Sequence, residues 1–83
     1  MNHEQYYDKN NRIIKDKDYV LVENEIVCQA LRCDDGTLLY EELFYNEKIS
    51  NLDLTDNPNY PDAYNKNEVE LISYATAIEL LKK

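Results

Sequence analysis

Three strand-like runs between Asp18 and Tyr45 dominate the hydrophobic pattern of this chain. They read YVLV, EIVCQALRC and TLLYEELFY, and polar breaks at Glu23-Asn24 and Asp34-Asp35-Gly36 separate them. Short apolar runs that are rich in β-branched and aromatic residues and bounded by turn residues are typical of β-strands. The pattern therefore predicts a local meander of three antiparallel strands joined by two tight turns.

The turn at Asp34, Asp35 and Gly36 is the clearest local signal. The two aspartates suit the centre of a type I turn, and Gly36, the only glycine, can adopt the positive φ that follows it. Backbone requirements explain both carboxylates, so we interpret them as turn residues and not as a functional pair.

Further elements are predicted on both sides of the meander. The run Asp8-Lys9-Asn10-Asn11 indicates a turn between two short strands. Near the other end, Glu68 to Ile72 indicates a last strand, and Ser73 can cap a helix from Tyr74 to about Leu81. One stripe of this helix, expected to pack on the sheet, contains Tyr74, Ala77, Ile78 and Leu81.

Apolar residues occur on both faces of the predicted sheet. Val27 and Cys28 point to opposite faces, and Phe44 shares a face with Leu38 and Tyr40. A sheet with one solvated face would alternate cleanly, so both faces are at least partly covered. We predict an α+β fold, mainly antiparallel β, as a small curled sheet or SH3-like barrel with one C-terminal helix. At 83 residues, the chain forms a single domain, residues 1–83.

The segment DKNNRIIKDKDYVLVENEI, followed by DDGTLLYEEL, resembles small SH3-like barrels, including YopX-type proteins of phages and mobile elements. The resemblance covers about half of the chain and consists mostly of strand and turn spacing. Lys17 stands where such barrels usually carry a glycine, and the resemblance assigns no functional residue. The positions that stand near the matching places are Asp8, Asn10, Ile13, Asp18, Val20 and Val22.

Residues 46–67 have the weakest pattern. Ile49, Leu52 and Leu54 indicate a short extended piece or a helical turn, and the stretch from Thr55 to Pro61 is predicted to be irregular. Ordered loops of this length are uncommon in compact domains and are often functional. The alternative is an insertion with no role.

The net charge of −8 is distributed unevenly. Residues 34–79 carry eleven acidic side chains against only Lys48 and Lys66. This imbalance disfavours direct contact with nucleic-acid phosphates or anionic lipids and permits a basic protein partner. A purely solubilising role is the simpler alternative. With no apolar run long enough for a membrane span or a signal peptide, we expect a cytoplasmic protein.

The two cysteines are expected to remain free thiols. Cys28 and Cys33 are five positions apart on one predicted strand, so their side chains point to opposite faces. We interpret both as small buried hydrophobic residues. With a single histidine, His3, and no third cysteine, a zinc site is disfavoured.

The sequence contains no recognisable catalytic arrangement. Nothing places a base beside a nucleophile, and one glycine cannot build a phosphate-binding loop. The adjacent Glu41 and Glu42 point to opposite faces of their strand, and the acidic residues between Asp53 and Asp62 do not match a calcium-binding loop. We therefore predict a protein that is not an enzyme and needs no cofactor or metal.

Tyrosines beside carboxylates favour protein recognition, and the chain has eight tyrosines. The predicted function is a non-enzymatic acidic interaction module of a phage or mobile element. It would bind a basic host-protein surface as an inhibitor or as a mimic of nucleic-acid charge. The alternative is a structural or assembly component that forms homo-oligomers through its sheet edges. The predicted binding residues are Glu41, Glu42, Asp53, Asp56, Tyr60, Asp62 and Tyr64.

Overall fold

A computed structural model describes residues 5–83, and within this range the chain forms seven strands, two short 3-10 helices and one α-helix. The 3-10 helices, Pro61–Ala63 and Lys66–Glu68, precede the last strand, and the α-helix, α1, spans Tyr74–Lys82. The strands are β1 (Tyr6–Tyr7), β2 (Ile13–Ile14), β3 (Tyr19–Val22), β4 (Ile26–Arg32), β5 (Leu38–Asn46), β6 (Asn51–Asn59) and β7 (Val69–Ile72).

Five strands form one antiparallel sheet in the order β6-β5-β4-β3-β7, and β1 and β2 pair as a separate hairpin. The strands β6 and β7 lie at opposite edges, so the sheet is open and does not close into a barrel. The predicted α+β class is confirmed in its curled-sheet form. The predicted meander is also confirmed, because β3, β4 and β5 are consecutive neighbours.

The turns use positive φ angles where the sequence predicted breaks. Gly36 has a φ of 89°, and Glu23 and Asn24 have φ of 54° and 55°. Lys17, in the turn before β3, has a φ of 78°. This region is open to glycine at no steric cost and is less favourable for lysine. The turn before β3 therefore keeps a glycine-like backbone without a glycine.

Both faces of the sheet are covered, as predicted. The hairpin of β1 and β2 covers the face that we call the hairpin face, and α1 covers the opposite helix face. On the helix face, Val27, Leu43 and Ala77 are buried. The buried residues of the hairpin face are Ile14, Val20, Val22, Cys28, Ala30, Leu38, Tyr40 and Val69.

The helix begins as predicted, because the Ser73 hydroxyl accepts a hydrogen bond from the Thr76 backbone N–H at 3.0 Å. Within the expected stripe, Ala77 is buried and Ile78 and Leu81 are half-buried. Tyr74 differs, since it is 44% exposed and its ring tilts against Tyr19 at 5.5 Å between centroids. The first turn of the helix therefore contacts the rim of the sheet and not its core.

Asp8 fastens the hairpin to the edge strand β7. Its side chain is completely buried, and it accepts hydrogen bonds from the backbone N–H groups of Asn10, Arg12 and Leu71 at 2.9–3.0 Å. The Arg12 guanidinium adds two bonds to Asp8 Oδ2 and a third to the Leu71 carbonyl oxygen. Lys9 N–H also donates to the Val69 carbonyl oxygen. These contacts, which we call the Asp8 clasp, cover the outer edge of β7.

The strand β6 corrects the prediction that the stretch from Thr55 to Pro61 is irregular. It runs from Asn51 to Asn59, so most of that stretch belongs to the sheet, and Leu52 and Leu54 lie in the extended conformation that was one of the two alternatives. An edge strand tolerates Pro58 because only one side of the strand pairs. Between the pairs Leu43–Leu54 and Glu41–Pro58, three residues of β6 oppose one residue of β5. This bulge, in which Asp56 has a φ of 63°, breaks the alternation that identifies a strand.

The cysteines are free thiols, as predicted, but they differ in environment. Cys28 is buried on the hairpin face, whereas Cys33 is exposed. The expectation that both are buried is wrong for Cys33, because β4 ends at Arg32 and Cys33 begins the turn. Burial raises the pKa of the Cys28 thiol to about 12, and the negative charges of Glu42 and Glu41 contribute.

We expect a thiol reagent such as a maleimide to modify one cysteine of the folded protein. Cys33 reacts because it is exposed, whereas Cys28 is buried and its thiolate is strongly disfavoured. Intact mass spectrometry should show a single adduct in buffer and two adducts in denaturant. The Cys33→Ser variant should show no adduct when folded, and rapid modification of this variant in buffer would contradict the burial of Cys28.

Candidate functional site

The seven predicted binding residues do not form one surface. Glu42, Asp53 and Asp56 lie on the two-stranded ribbon formed by β5 and β6. Glu41 pairs with Pro58 and points to the opposite face from Glu42. The remaining residues, Tyr60, Asp62 and Tyr64, lie past the end of β6 at or near the first 3-10 helix.

An exposed aromatic ring lies between two of the predicted carboxylates. Phe44 is 41% exposed, Asp53 stands directly opposite it on β6, and Glu42 precedes it by two positions on the same face. The sequence correctly placed Phe44 on the face of Leu38 and Tyr40. The hairpin core includes Tyr40 and not Phe44, so the ring is left in solvent.

Hydrogen bonds hold the two carboxylates in place. Asp53 Oδ2 accepts from the Asn46 side-chain amide at 3.3 Å, and Asp53 Oδ1 accepts from the Leu54 N–H at 2.9 Å. Glu42 Oε2 accepts from the Asn57 side-chain amide at 2.9 Å. Asp56, in the bulge, is exposed. We call Glu42, Phe44, Asp53 and Asp56 the acidic ribbon, which consists of three carboxylates and one aromatic ring on the paired strands β5 and β6.

The tyrosines beyond β6 differ in their availability. Tyr60 is 59% exposed. Tyr64 is half-buried against the hairpin core, and its hydroxyl donates to Asn59 Oδ1 at 3.1 Å. Burial raises the pKa of the Tyr64 hydroxyl, with nearby Glu23 the next cause. Tyr64 therefore covers one end of the sheet, and Tyr60 offers the more accessible ring.

Asp62 belongs to the same end of the sheet and is separate from the acidic ribbon. Its Oδ1 atom accepts a hydrogen bond from the Tyr6 hydroxyl at 3.1 Å, which links the first 3-10 helix to β1. Asp62 is exposed, so its charge still faces solvent. The contact gives Asp62 a structural partner within the described residues that the sequence did not indicate.

Among residues 5–83, no group of three or more His, Cys, Asp or Glu side chains is arranged to hold a metal ion. His3 lies outside the described residues. In the same part of the chain, no helix has the length and apolar character that a bilayer crossing requires.

Comparison with protein-family models, curated proteins and solved structures gives no match to this chain. Function is therefore inferred from the side chains of the acidic ribbon and its surroundings.

Proposed function

We propose that this protein is a non-enzymatic interaction module that binds a basic protein surface through the acidic ribbon. Glu42, Asp53 and Asp56 would supply negative charge, and Phe44 would supply the apolar anchor. Tyr60, beyond the end of the ribbon, would add a second aromatic contact. Glu41, Asp62 and Tyr64 would contribute only at the periphery, because each faces away from the ribbon or is engaged elsewhere.

The exposure of Phe44 between Glu42 and Asp53 carries the proposal. Aromatic side chains are enriched at protein interfaces and often supply much of the binding energy. An aromatic face also attracts Arg and Lys, and neighbouring carboxylates strengthen that preference. A solubilising role explains the carboxylates but does not explain why a large ring lies in solvent among them.

The same chemistry supports a narrower version of the proposal, in which the protein belongs to a phage or mobile element and uses the acidic ribbon to inhibit a basic host protein. Carboxylates spaced along a pair of strands would imitate the phosphates that a basic host protein normally binds. Charge complementarity of this kind accelerates association and makes it sensitive to salt.

The rival proposal, assembly through sheet edges, has weaker support. The Asp8 clasp covers the edge of β7. At the other edge, β6 contains a bulge and a proline, and both features oppose the addition of another strand. The N–H groups of Leu52 and Leu54 also donate to the side chains of Asn51 and Asp53. Both edges are therefore protected against strand pairing.

Removing the charges of the acidic ribbon should strongly reduce partner capture. The variant Glu42→Gln/Asp53→Asn/Asp56→Asn keeps the side-chain shapes and removes three negative charges. Affinity capture from host lysate at low salt, quantified by mass spectrometry, should recover basic proteins with the parent chain. Recovery should fall about tenfold with the variant, since each lost ion pair contributes roughly 0.2–1 kcal/mol. High salt should lower recovery by the parent in the same way.

The matched control is Glu25→Gln/Asp34→Asn/Glu79→Gln, which removes the same number of charges from exposed positions outside the ribbon. We expect it to capture partners as the parent does. Equal capture by all three proteins would overturn the proposal. An equal loss of capture with both variants would show that only the net charge matters, and this result would also overturn the proposal.

A further inference from the structure

A groove of opposite charge lies at the tip of the β5–β6 ribbon. It is an open depression of about 410 Å³ between the end of this ribbon and the C-terminal turn of α1. Eight residues line it, and they include three lysines and one glutamate, so the lysines outnumber the carboxylate. The lining residues are Phe44, Tyr45, Asn46, Glu47, Lys48, Leu81, Lys82 and Lys83. Apart from Phe44, none of these residues belongs to the acidic ribbon.

The three lysines concentrate positive charge on a strongly acidic protein. The chain has nine Lys and Arg residues and a net charge of −8, yet three of the nine meet at this groove. Within residues 5–83 no carboxylate lies within ion-pair distance of any of the three. Lys82 Nζ lies over the ring of Tyr45, 5.6 Å from its centre.

Helix electrostatics explain only part of this arrangement. Lys82 and Lys83 lie at the C-terminus of α1, where positive side chains are stabilised by the helix dipole. Lys48 belongs to the turn between β5 and β6, and the helix gives no reason for its presence. Because Lys48 reaches the same groove from a separate element, the three lysines together indicate a binding site for a ligand of negative charge.

We infer that this groove binds an acidic peptide segment that carries an aromatic side chain. Carboxylates of the peptide would pair with the three lysines, and the ring would pack against Tyr45 and Leu81. The volume lies within the roughly 300–1,000 Å³ typical of pockets for small ligands, so the groove accommodates a few side chains. A long polyanion such as nucleic acid would extend over the surrounding acidic surface and be repelled there.

A fluorescence anisotropy titration with labelled peptides tests the inference. The probe is Glu-Asp-Phe-Glu-Asp, compared with Gln-Asn-Phe-Gln-Asn and Glu-Asp-Gly-Glu-Asp. The variant Lys48→Gln/Lys82→Gln/Lys83→Gln removes the groove charges. The control Lys15→Gln/Lys17→Gln/Lys66→Gln removes three charges from exposed lysines elsewhere. A ten-nucleotide single-stranded DNA serves as the competing polyanion.

The parent and the control should bind the acidic aromatic peptide with similar affinity. The groove variant should bind it about tenfold more weakly, which is the effect expected from the loss of three exposed ion pairs. The neutral peptide and the peptide without the ring should each bind more weakly than the probe. Equal affinity of groove variant and parent would overturn the inference, as would no binding by the parent. Tighter binding of the DNA than of the peptide would overturn it too. The lysine variants leave the acidic ribbon unchanged, so these outcomes do not depend on the proposed function.

Discussion

Replacing Asp8 by alanine should lower the free energy of unfolding by about 2–4 kcal/mol, because each buried N–H group that loses its acceptor costs about 1–3 kcal/mol. The substitution leaves the N–H groups of Arg12 and Leu71 without their carboxylate acceptor and removes the charge that faces the guanidinium. A domain of 83 residues has a total stability of roughly 4–12 kcal/mol, so the substitution should remove a large fraction of it.

Urea denaturation followed by circular dichroism measures this effect. Asp62→Ala is the matched control, because Asp62 is exposed and accepts one hydrogen bond from Tyr6. It should change stability by less than about 1 kcal/mol. A variant without Asp8 that unfolds at the urea concentration of the parent would show that the clasp is dispensable.

Lowering the pH should weaken the hydrogen bonds to the Asp8 carboxylate in the parent protein. Burial alone would raise the pKa of Asp8, but the hydrogen bonds from Leu71, Arg12 and Asn10 outweigh it and lower the pKa from 3.8 to about 2. Because the folded-state pKa is the lower one, the stabilisation is present above pH 3.8 and is lost as pH falls towards 2. The stability difference between the parent and Asp8→Asn should therefore shrink across this interval and stay constant above pH 5.

The second large effect is expected at Tyr40, whose ring is at the centre of the hairpin core. Tyr40 is 2% exposed and pairs with Ala30 on the neighbouring strand. Tyr40→Ala removes a ring from a well-packed core and should cost about 3–5 kcal/mol, as comparable aromatic truncations do. The cavity would lie beneath the β1–β2 hairpin, where Ile14 completes the same cluster.

The variant Tyr40→Phe distinguishes the contribution of the ring to stability from that of the hydroxyl. This variant keeps the ring volume, and we expect its melting temperature to remain within a few degrees of the parent. Differential scanning calorimetry of both variants gives the comparison. If Tyr40→Phe were as unstable as Tyr40→Ala, the stabilisation would come from the hydroxyl and not from packing.

Local signals explain why much of the fold could be predicted. Asp34, Asp35 and Gly36 determine the turn between β4 and β5 on their own. Ser73 caps α1 through a hydrogen bond to Thr76, only three residues away. The lack of a clean apolar–polar alternation along β4 reflects two covered faces, whatever covers them. Each of these features depends on neighbours in sequence, which is the information that a pattern of residues contains.

The features that could not be predicted depend on distant partners. Asp8 reads as a turn residue, and its burial follows only from contact with Leu71. Phe44 shares an apolar face with Leu38 and Tyr40 in the sequence pattern. It is exposed because the β1–β2 hairpin does not cover this end of the face. The strand character of β6 was hidden by its bulge and by Pro58. For the binding residues, composition indicated an acidic region, whereas the register of β5 and β6 divided it into separate surfaces.

The Asp8 clasp also has a kinetic consequence. It joins Asp8 to Leu71, 63 positions apart, whereas β3 to β6 pair with sequence neighbours. Closing so long a loop costs more entropy than forming the hairpins, so the meander should assemble before the clasp closes. An interaction that is absent from the transition state affects mainly the unfolding rate. The clasp would therefore govern how long the native state persists and have little effect on how fast it forms.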